Sequence, residues 1–252
     1  MNFARFTVGR DKDERAGVVT NETVKEIRGD IFTEWEYTGN TFAVEQVRFL
    51  APLVPHSIIG IGANYLAPGQ VRPETLPEIP VFFFKPLTSV IGTDEDIVIP
   101  PAIDEVKFES ELAVIIGKEA YQIKESEVSD YIFGYTIGND VTAPQYFHPD
   151  GHWTIGKSFK TFTPLGPVIK TDLDLANIRI QAIHNGEMKQ DGTTDLMIIS
   201  IPRMIAYLAN VFPLMPGDVI LTGAPTGADF LKKGDVIECT IEEIGVLRNK
   251  VR

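Results

Sequence analysis

The chain has 252 residues, 44% of them hydrophobic, and a formal net charge of −12 at pH 7. Its length and composition suit a globular protein with one large domain, or with one large and one small domain. A charge this negative argues against general nucleic-acid binding because it repels the phosphate backbone. Small anionic substrates stay open, since a bound cation and a few lysines can reverse the local field.

The sequence also bears on location and redox state. No apolar run approaches the roughly 20 residues of a membrane-spanning helix, so we expect no membrane partner. The stretch from Met1 to Arg5 lacks the long apolar region of a secretion signal. Cys239 is the single cysteine, so the fold does not depend on an internal disulfide. We therefore predict a cytoplasmic protein.

The first 50 residues have the pattern of a small separate unit. Residues 3–8 alternate apolar and polar side chains as a strand does, and residues 16–19 indicate a second strand. Ala51-Pro52 then marks a boundary. We predict a small N-terminal α/β domain over residues 1–50 and a larger domain over residues 51–252.

The larger domain combines short strands with two helices. Strands are predicted where short apolar runs have glycine, proline or polar borders, at residues 57–62, 81–84 and 112–117. One helix is predicted from Glu125 to Ile132. Another follows Ser200, where apolar side chains recur at helical spacing behind an N-cap serine and a proline. This density of short strands predicts an α+β fold, a mixed β-roll or barrel with a few helices.

Residues 66–80 hold four prolines and predict a long loop. A loop of this length in a compact domain is usually functional or disordered, so we predict a mobile lid over an active site. Arg72 is a candidate to bind a substrate carboxylate, and Glu74 or Glu78 to act as general base once closure desolvates it. The alternative is a plain surface loop whose charges stay solvated.

Two glutamates lie at the start of the apolar run around residues 112–117. If this segment is extended, Glu109 and Glu111 share a face, with about 6.5–7 Å of strand between their Cα atoms. Paired negative charges beside a buried strand are costly unless a cation compensates, and hard oxygen ligands suit Mg²⁺, Mn²⁺ or Ca²⁺. The alternative is two exposed glutamates at a strand end. Asp140 ends another apolar stretch and, taken alone, is typical of a turn.

Two lysines lie beside predicted strands. Lys85 follows residues 82–84, and Lys157 lies in a segment whose extended geometry would place it on the face opposite Lys160. A lysine on an inner face needs an anionic partner, which a substrate carboxylate can supply, and the alternative is a solvated surface lysine. The four histidines show no zinc-site spacing, and no serine nucleophile elbow occurs.

Several short segments together resemble the fumarylacetoacetate hydrolase superfamily over roughly residues 52–252. Their order along the chain, rather than any single piece, makes the resemblance specific. They are Gly62–Tyr65, Phe83–Pro86, Glu109–Gly117, Gly134–Thr136, Asn139–Thr142, Gly156–Phe159, Thr163–Pro167, Asn185–Glu187, Ser200–Pro202 and Pro216–Gly223.

The resemblance implies a β-roll whose open end holds the site, in a protein that is commonly a homodimer acting on a small anionic oxo-acid. It implies that a divalent cation, Mg²⁺ first and Mn²⁺ or Ca²⁺ as alternatives, is bound by the residues matching the family's ligands. It also implies active-site lysines and substrate-binding groups. The implied ligands are Glu109, Glu111 and Asp140, the lysines are Lys157 and Lys85, and the substrate-binding residues include Tyr65 and Thr222.

The sequence departs from the family pattern at three places. Pro68 stands where many members carry a histidine that orients a water. The segment Ala143-Pro144-Gln145 lacks the arginine of the usual motif, and Ala224 replaces a threonine. The residues that match the family's metal ligands are kept, whereas those that match its water-activating and substrate-binding positions are altered.

These features support three hypotheses of function. The first is a metal-dependent enzyme that cleaves a carbon–carbon bond in an acylpyruvate-type or fumarylacetoacetate-type acid through a metal-stabilised enolate. The second is an oxaloacetate-type decarboxylase or a 2-hydroxyhepta-2,4-diene-1,7-dioate-type isomerase. The third is a metal-binding protein with weakened catalysis. The absence of the histidine favours the second and third.

Overall fold

The computed structural model describes residues 1–20 and 22–252. The N-terminal part is built from antiparallel strands, each pairing with a neighbour along the chain or with β1. Its strands are β1 (Asn2–Val8), β2 (Arg15–Thr20), β3 (Thr23–Gly29), β4 (Trp35–Ala43) and β5 (Val47–Phe49).

The N-terminal unit was predicted to contain both helix and strand, and the prediction of helix is wrong. In the described residues up to 50, the helical structure is a single 3-10 turn, Val44–Gln46. The chain then joins β1 as an antiparallel neighbour, with Thr7 opposite Arg48. Its backbone groups are satisfied in that ladder, so three residues of turn are enough to connect β4 to β5.

The remaining strands are mostly short, as the sequence predicted, and the strand predictions at residues 57–62, 81–84 and 112–117 are confirmed. They are β6 (Ile58–Ile61), β7 (Phe82–Phe84), β8 (Val90–Ile91), β9 (Asp96–Ile97), β10 (Ser110–Ile116), β11 (Ile132–Asn139), β12 (Thr163–Lys170), β13 (Arg179–His184), β14 (Glu187–Thr193), β15 (Val219–Leu221), β16 (Val236–Ile241) and β17 (Gly245–Val251). Further 3-10 turns cover Leu87–Ser89, Pro144–Tyr146 and Thr194–Leu196.

These strands form two sheets. A 12-stranded sheet runs β4-β3-β2-β1-β12-β11-β10-β15-β6-β7, with β5 and β8 paired at its side, and a 5-stranded sheet runs β14-β13-β16-β17-β9. Antiparallel and parallel pairs occur in both, so both sheets are mixed. Because the order of the larger sheet ends at β4 and β7, the described strands form no closed barrel. The fold is β-rich with few helices, and the roll geometry stays a prediction.

The central strand β10 is buried on both faces, which explains its unbroken apolar run. Leu112, Val114 and Ile116 face the core shared with the smaller sheet. Ala113 and Ile115 pack in a second cluster with side chains from the N-terminal strands. Each fully buried leucine, isoleucine or valine contributes about 1.5–3 kcal/mol to stability. The backbone of β10 is therefore held firmly in place, and so are the residues at its two ends.

One predicted helix is confirmed and the other is replaced. Helix α1 spans Ile201–Val211, and the Ser200 side chain accepts a hydrogen bond from the Arg203 amide at 3.4 Å. The segment predicted as a helix from Glu125 to Ile132 is instead a 3-10 helix, Glu125–Asp130, followed at once by β11. Ile132, the last residue of the predicted helix, pairs instead with Ile116 of β10. In the described part of the chain, the structure contains no helix long and apolar enough to cross a membrane.

Candidate active site

Three carboxylates converge where β10 begins and β11 ends. Because the two strands are antiparallel, with Ser110 opposite Asn139, Glu109 and Glu111 meet Asp140 across the pair. An oxygen atom from each of the three carboxylates lies within 4.8 Å of the others. Glu111 and Asp140 are buried, whereas the Glu109 side chain is 26% exposed. The spacing of two residues therefore places both glutamates on one side, as the sequence predicted.

Both predicted lysines reach this cluster. The Lys157 ammonium donates to Glu109 Oε2 at 2.6 Å and to an oxygen of Asp140. The Lys85 ammonium, just after β7, donates to Asp140 Oδ1 at 2.5 Å and to the Val141 carbonyl at 3.3 Å. Both lysines are buried, so their positive charges face the carboxylates and not the solvent.

Lys157 and Lys160 differ as predicted, but for another reason. The expected extended segment is a series of turns, and Lys157 enters the site from within it. Lys160 is exposed. The different exposure of the two lysines thus arises within a series of turns and not from strand alternation.

Electrostatics distinguish the members of the cluster. Burial raises the pKa of Glu111 well above its usual range, and the neighbouring Asp140 and Glu109 raise it further. Its compensating contact is the Gly223 amide, which donates to Glu111 Oε2 at 2.7 Å. Burial alone would also raise the pKa of Asp140, but the ammonium groups of Lys157 and Lys85 outweigh it and hold that pKa below its usual range. Burial lowers the pKa of Lys85, although Asp140 opposes the shift.

The donor set fits a divalent cation. The three carboxylates and two ammonium groups sum to a formal charge of −1, leaving Glu111 without an ammonium partner. The Tyr65 side chain is buried close to it. Clustered carboxylate oxygens are the ligands that Mg²⁺, Mn²⁺ and Ca²⁺ prefer, and a cation here would neutralise the buried excess of negative charge.

A cavity of about 280 Å³ opens onto the cluster. Glu109, Glu111, Asp140 and Lys157 line it, together with a segment from Ile61 to Tyr65 and another from Gly223 to Thr226. Phe83, Phe147 and Trp153 add three aromatic rings to the lining, and Ala228 completes it. Sequence reasoning missed Phe147 and Trp153, because the chain-order pattern does not show that a loop folds back over the cavity.

Asn64 lines the cavity and links its segment to two distant parts of the chain, a role that sequence reasoning also missed. Its side-chain nitrogen donates to the carbonyls of Ile199 at 3.1 Å and Thr222 at 2.9 Å, and its Oδ1 accepts from the Ile199 amide at 2.8 Å. Gly223, at φ +90°, packs so closely that an added Cβ would lie 2.9 Å from the Asn64 Cβ. The available signal was the Asn-Tyr pair within the Gly62–Tyr65 motif.

Of the predicted substrate-binding residues, Tyr65 lines the cavity and Thr222 does not. The Thr222 side chain is fully buried, and its hydroxyl donates to the Leu112 carbonyl at 2.9 Å. That contact ties the residue just after β15 to β10, and the backbone of the next residue, Gly223, lines the cavity.

The predicted lid residues lie outside the cavity. Residues 66–80 contain turns and bends, without helix or strand, and Glu74 and Glu78 are exposed. The Arg72 guanidinium donates to three backbone carbonyls, those of Met197 at 2.6 Å, Asp195 at 2.7 Å and Ile198 at 3.3 Å. In this conformation the three side chains do not meet the carboxylates, and their predicted roles require the segment to move.

Comparisons with known proteins agree with this geometry. Residues 57–252 match the family model described as fumarylacetoacetate (FAA) hydrolase C-terminal, and residues 1–52 match the model Rv2993c-like, N-terminal. The mitochondrial oxaloacetate tautomerase Fahd2a of Rattus norvegicus is 39% identical over 218 residues, covering 82% of this chain and 70% of that protein.

Two solved structures are similar over the full chain. The 5-carboxymethyl-2-hydroxymuconate delta-isomerase of Mycobacterium smegmatis has a TM-score of 0.92 and 36% identity, covering 100% of this chain and 99% of its own. Maleylpyruvate hydrolase of Sphingobium sp. SYK-6, solved with manganese(II) and pyruvate, has a TM-score of 0.82 and 28% identity, covering 100% and 98%. The chain therefore belongs to the fumarylacetoacetate hydrolase family.

Proposed function

We propose that the protein is a divalent-metal-dependent enzyme that interconverts the keto and enol forms of a small 2-oxo acid. The observation that carries this proposal is the composition of the cavity. Its lining residues, all within the described part of the chain, include carboxylates and Lys157 but no histidine to activate a water. Proton transfer beside a carbonyl needs an electron sink and a proton carrier, whereas hydrolysis also needs an activated water.

The names of the relatives also favour keto–enol interconversion over hydrolysis. A tautomerase and an isomerase share 39% and 36% identity with this chain, whereas the maleylpyruvate hydrolase shares 28%. Carbon–carbon cleavage, our first hypothesis from the sequence, thus becomes the second candidate. Decarboxylation remains an outcome for the assay to score.

The residues in and behind the cavity lining would have separate roles in metal binding and in positioning the carboxylates. Glu109, Glu111 and Asp140 would hold Mg²⁺, or Mn²⁺ in its place, and Gly223 orients Glu111 through its amide. When bound, the cation supplies a Lewis acid that stabilises negative charge developing on the substrate oxygen. Lys85 is buried behind Asp140 and fixes the orientation of that carboxylate.

Lys157 is our candidate to contact the substrate. It lines the cavity, and although burial disfavours its charge, Asp140 and Glu109 raise its pKa above the usual range. Lys157 therefore stays protonated and can donate a hydrogen bond or a proton to the enolate oxygen. The base that removes the carbon-bound proton is our sequence prediction, Glu74 or Glu78, and it requires residues 66–80 to close over the cavity.

A panel assay tests the proposal. Purified protein with Mg²⁺, and separately with a chelator, is given oxaloacetate and phenylpyruvate to follow keto–enol exchange, and an acylpyruvate to follow pyruvate release. We expect metal-dependent exchange that falls by at least about 100-fold in Lys157→Met and is unchanged in Lys160→Met, the matched exposed lysine.

Other outcomes would replace the proposal. Pyruvate release as the dominant reaction would establish carbon–carbon hydrolysis, and carbon dioxide release would establish a decarboxylase. Metal binding without turnover of any substrate would favour a binding protein with weakened catalysis. A homodimer and a cytoplasmic location accompany the proposal as predictions, to be checked by light scattering and cell fractionation.

A further inference from the structure

Gln190 is a fully buried polar side chain that is not among the described residues lining the cavity. It belongs to β14 in the smaller sheet and reaches β10 in the larger sheet. Its Oε1 accepts a hydrogen bond from the Ser110 amide at 2.9 Å, and its Nε2 donates to the Pro225 carbonyl at 2.5 Å. One side chain thus joins the strand that carries the metal-binding glutamates to a residue that lines the cavity.

This bridge lies where β10 and β15 separate. The strand β15 pairs with residues 113–115 of β10 and ends at Leu221. Residues 223–228 follow, and we call them the wall segment because most of them line the cavity. The Ser110 amide therefore finds its acceptor in the Gln190 side chain and not in a carbonyl of β15. A buried backbone amide without an acceptor is strongly destabilising, so the bridge replaces the missing ladder contact.

The wall segment and β14 are in close contact around the bridge. A Cβ added to Gly192 would lie 2.7 Å from the Pro225 Cβ, and one added to Gly227 would lie 1.9 Å from the Lys189 carbonyl oxygen. No real Cβ approaches a neighbour so closely, so glycine is needed at both positions for this separation. Gln190 lies between the two contacts along β14, at the point where the wall segment is held against the strand.

Both ends of the bridge lie next to groups that position the glutamates. Ser110 stands between Glu109 and Glu111 in the chain. At the start of the wall segment, the Gly223 amide donates to Glu111 Oε2 at 2.7 Å. A shift of either end of the bridge would therefore change where the carboxylates of Glu109 and Glu111 meet a cation.

We infer that Gln190 is a positioning residue for the metal site. It acts through the backbone of Ser110 and through the wall segment, without contact to cation or substrate. The inference rests on the proposed function, since it takes Glu109 and Glu111 as ligands of a divalent cation. Residues that orient metal ligands without touching the metal typically change metal affinity by about 10–100-fold.

Calorimetry with Mn²⁺ tests the inference. Gln190→Met keeps most of the side-chain volume but can form neither hydrogen bond, so the affinity for Mn²⁺ should fall at least about tenfold. Gln190→Asn, which is one methylene too short to reach both partners, should also lower the affinity and replaces Gln190→Met if that variant does not fold. An affinity within about twofold of that of the unmodified protein, in the folded variant, would overturn the inference and leave the proposed function intact.

Asn249 supplies the matched control. Its buried side chain also makes two hydrogen bonds to backbone groups, donating to the carbonyls of Gly92 at 2.9 Å and Glu95 at 2.8 Å, and it lies outside the cavity lining. Asn249→Leu should lower the melting temperature as Gln190→Met does, but leave the affinity for Mn²⁺ unchanged. An equal fall of affinity in both variants would trace the effect to general destabilisation and overturn the inference.

Amide hydrogen exchange in the absence of cation, followed by NMR, separates the inference from the proposed function. Gln190→Met should speed exchange at the Ser110 and Gly223 amides, whereas Asn249→Leu should not. If the unmodified protein binds no Mn²⁺, the proposed function fails, while faster exchange at these two amides would still support Gln190 as the residue that holds the glutamates in place. Unchanged exchange at both amides would overturn the inference, whatever the metal affinity.

Discussion

Replacing Lys85 by methionine should expose how the buried charges of the site depend on one another. The Lys85 side chain is fully buried and donates to Asp140 at 2.5 Å. Lys85→Met keeps most of the volume but removes one of the two ammonium groups, so the formal charge of the cluster falls from −1 to −2. Breaking a buried ion pair by removing one partner costs about 3–5 kcal/mol, and Lys157 still pairs with Asp140, so we expect about 3 kcal/mol.

This loss should depend on metal. For a chain of this length about 1 kcal/mol corresponds to about 2–4 °C, so the melting temperature should fall by about 6–12 °C in a chelator. A divalent cation brings the variant cluster to zero charge, whereas it brings the unmodified cluster to +1. Saturating Mg²⁺ or Mn²⁺ should therefore stabilise the variant more than the unmodified protein.

Differential scanning calorimetry of both proteins, with and without cation, measures these four melting temperatures. Lys160→Met is the control, because that lysine is exposed and should shift the melting temperature little. A fall of less than about 2 °C in Lys85→Met, or an equal fall with and without cation, would refute the charge reasoning.

Three further predictions follow from the site. The affinity for Mn²⁺, measured by calorimetry, should be lost in Glu109→Ala/Glu111→Ala. In the unmodified protein this affinity should rise with pH. Because the pKa of Glu111 is raised, a cation must displace a proton from that carboxyl group, so the affinity falls as the pH drops through that pKa. Unchanged binding in the double variant would remove these residues from the metal site. Asn64→Ala removes three buried hydrogen bonds and should lower the free energy of unfolding, measured with denaturant, by about 2–4 kcal/mol. A decrease of less than about 0.5 kcal/mol would show that these bonds do not hold the segments together. Hydrogen exchange over residues 66–80 should slow only when cation and oxalate are both present, and Glu74→Gln or Glu78→Gln should lower turnover without changing metal affinity; unaltered exchange and full activity would exclude a lid.

Much of the carboxylate cluster could be predicted because it depends on local rules. The alternation of side chains along one strand places Glu109 and Glu111 together, and the apolar run behind them predicts burial. Helix α1 was likewise predictable, since its N-cap, proline and helical periodicity all lie within a few residues. Asp140 was implied only by the family resemblance, because its approach to Glu111 depends on the pairing of β10 with β11.

The parts that sequence reasoning missed depend on contacts between distant segments. Trp153 meets Gly62 from about 90 residues further along the chain, and Asn64 reaches Ile199 from 135 residues away. Local pattern also failed at Glu125–Asp130, where helical residues are followed at once by a strand whose ladder with β10 decides the outcome. The exposed positions of Arg72, Glu74 and Glu78 match the alternative stated from the sequence, a plain surface loop. A closed lid over the cavity stays a prediction.

The pairing of β1 with β12 has a practical consequence for anyone who shortens the protein. Phe3 and Val18 cover the same apolar cluster as Ala113 and Ile115, the face of β10 turned away from the smaller sheet. A fragment starting at residue 51 would leave that cluster open to water and would leave β12 without its β1 neighbour at Ile169 and Lys170, although its pairing with β11 would remain. Exposed strand edges beside apolar surface recruit other chains, so we expect the fragment to aggregate rather than to fold as a smaller enzyme. Expression tags and fusions belong at the chain ends, with the first strand kept in place.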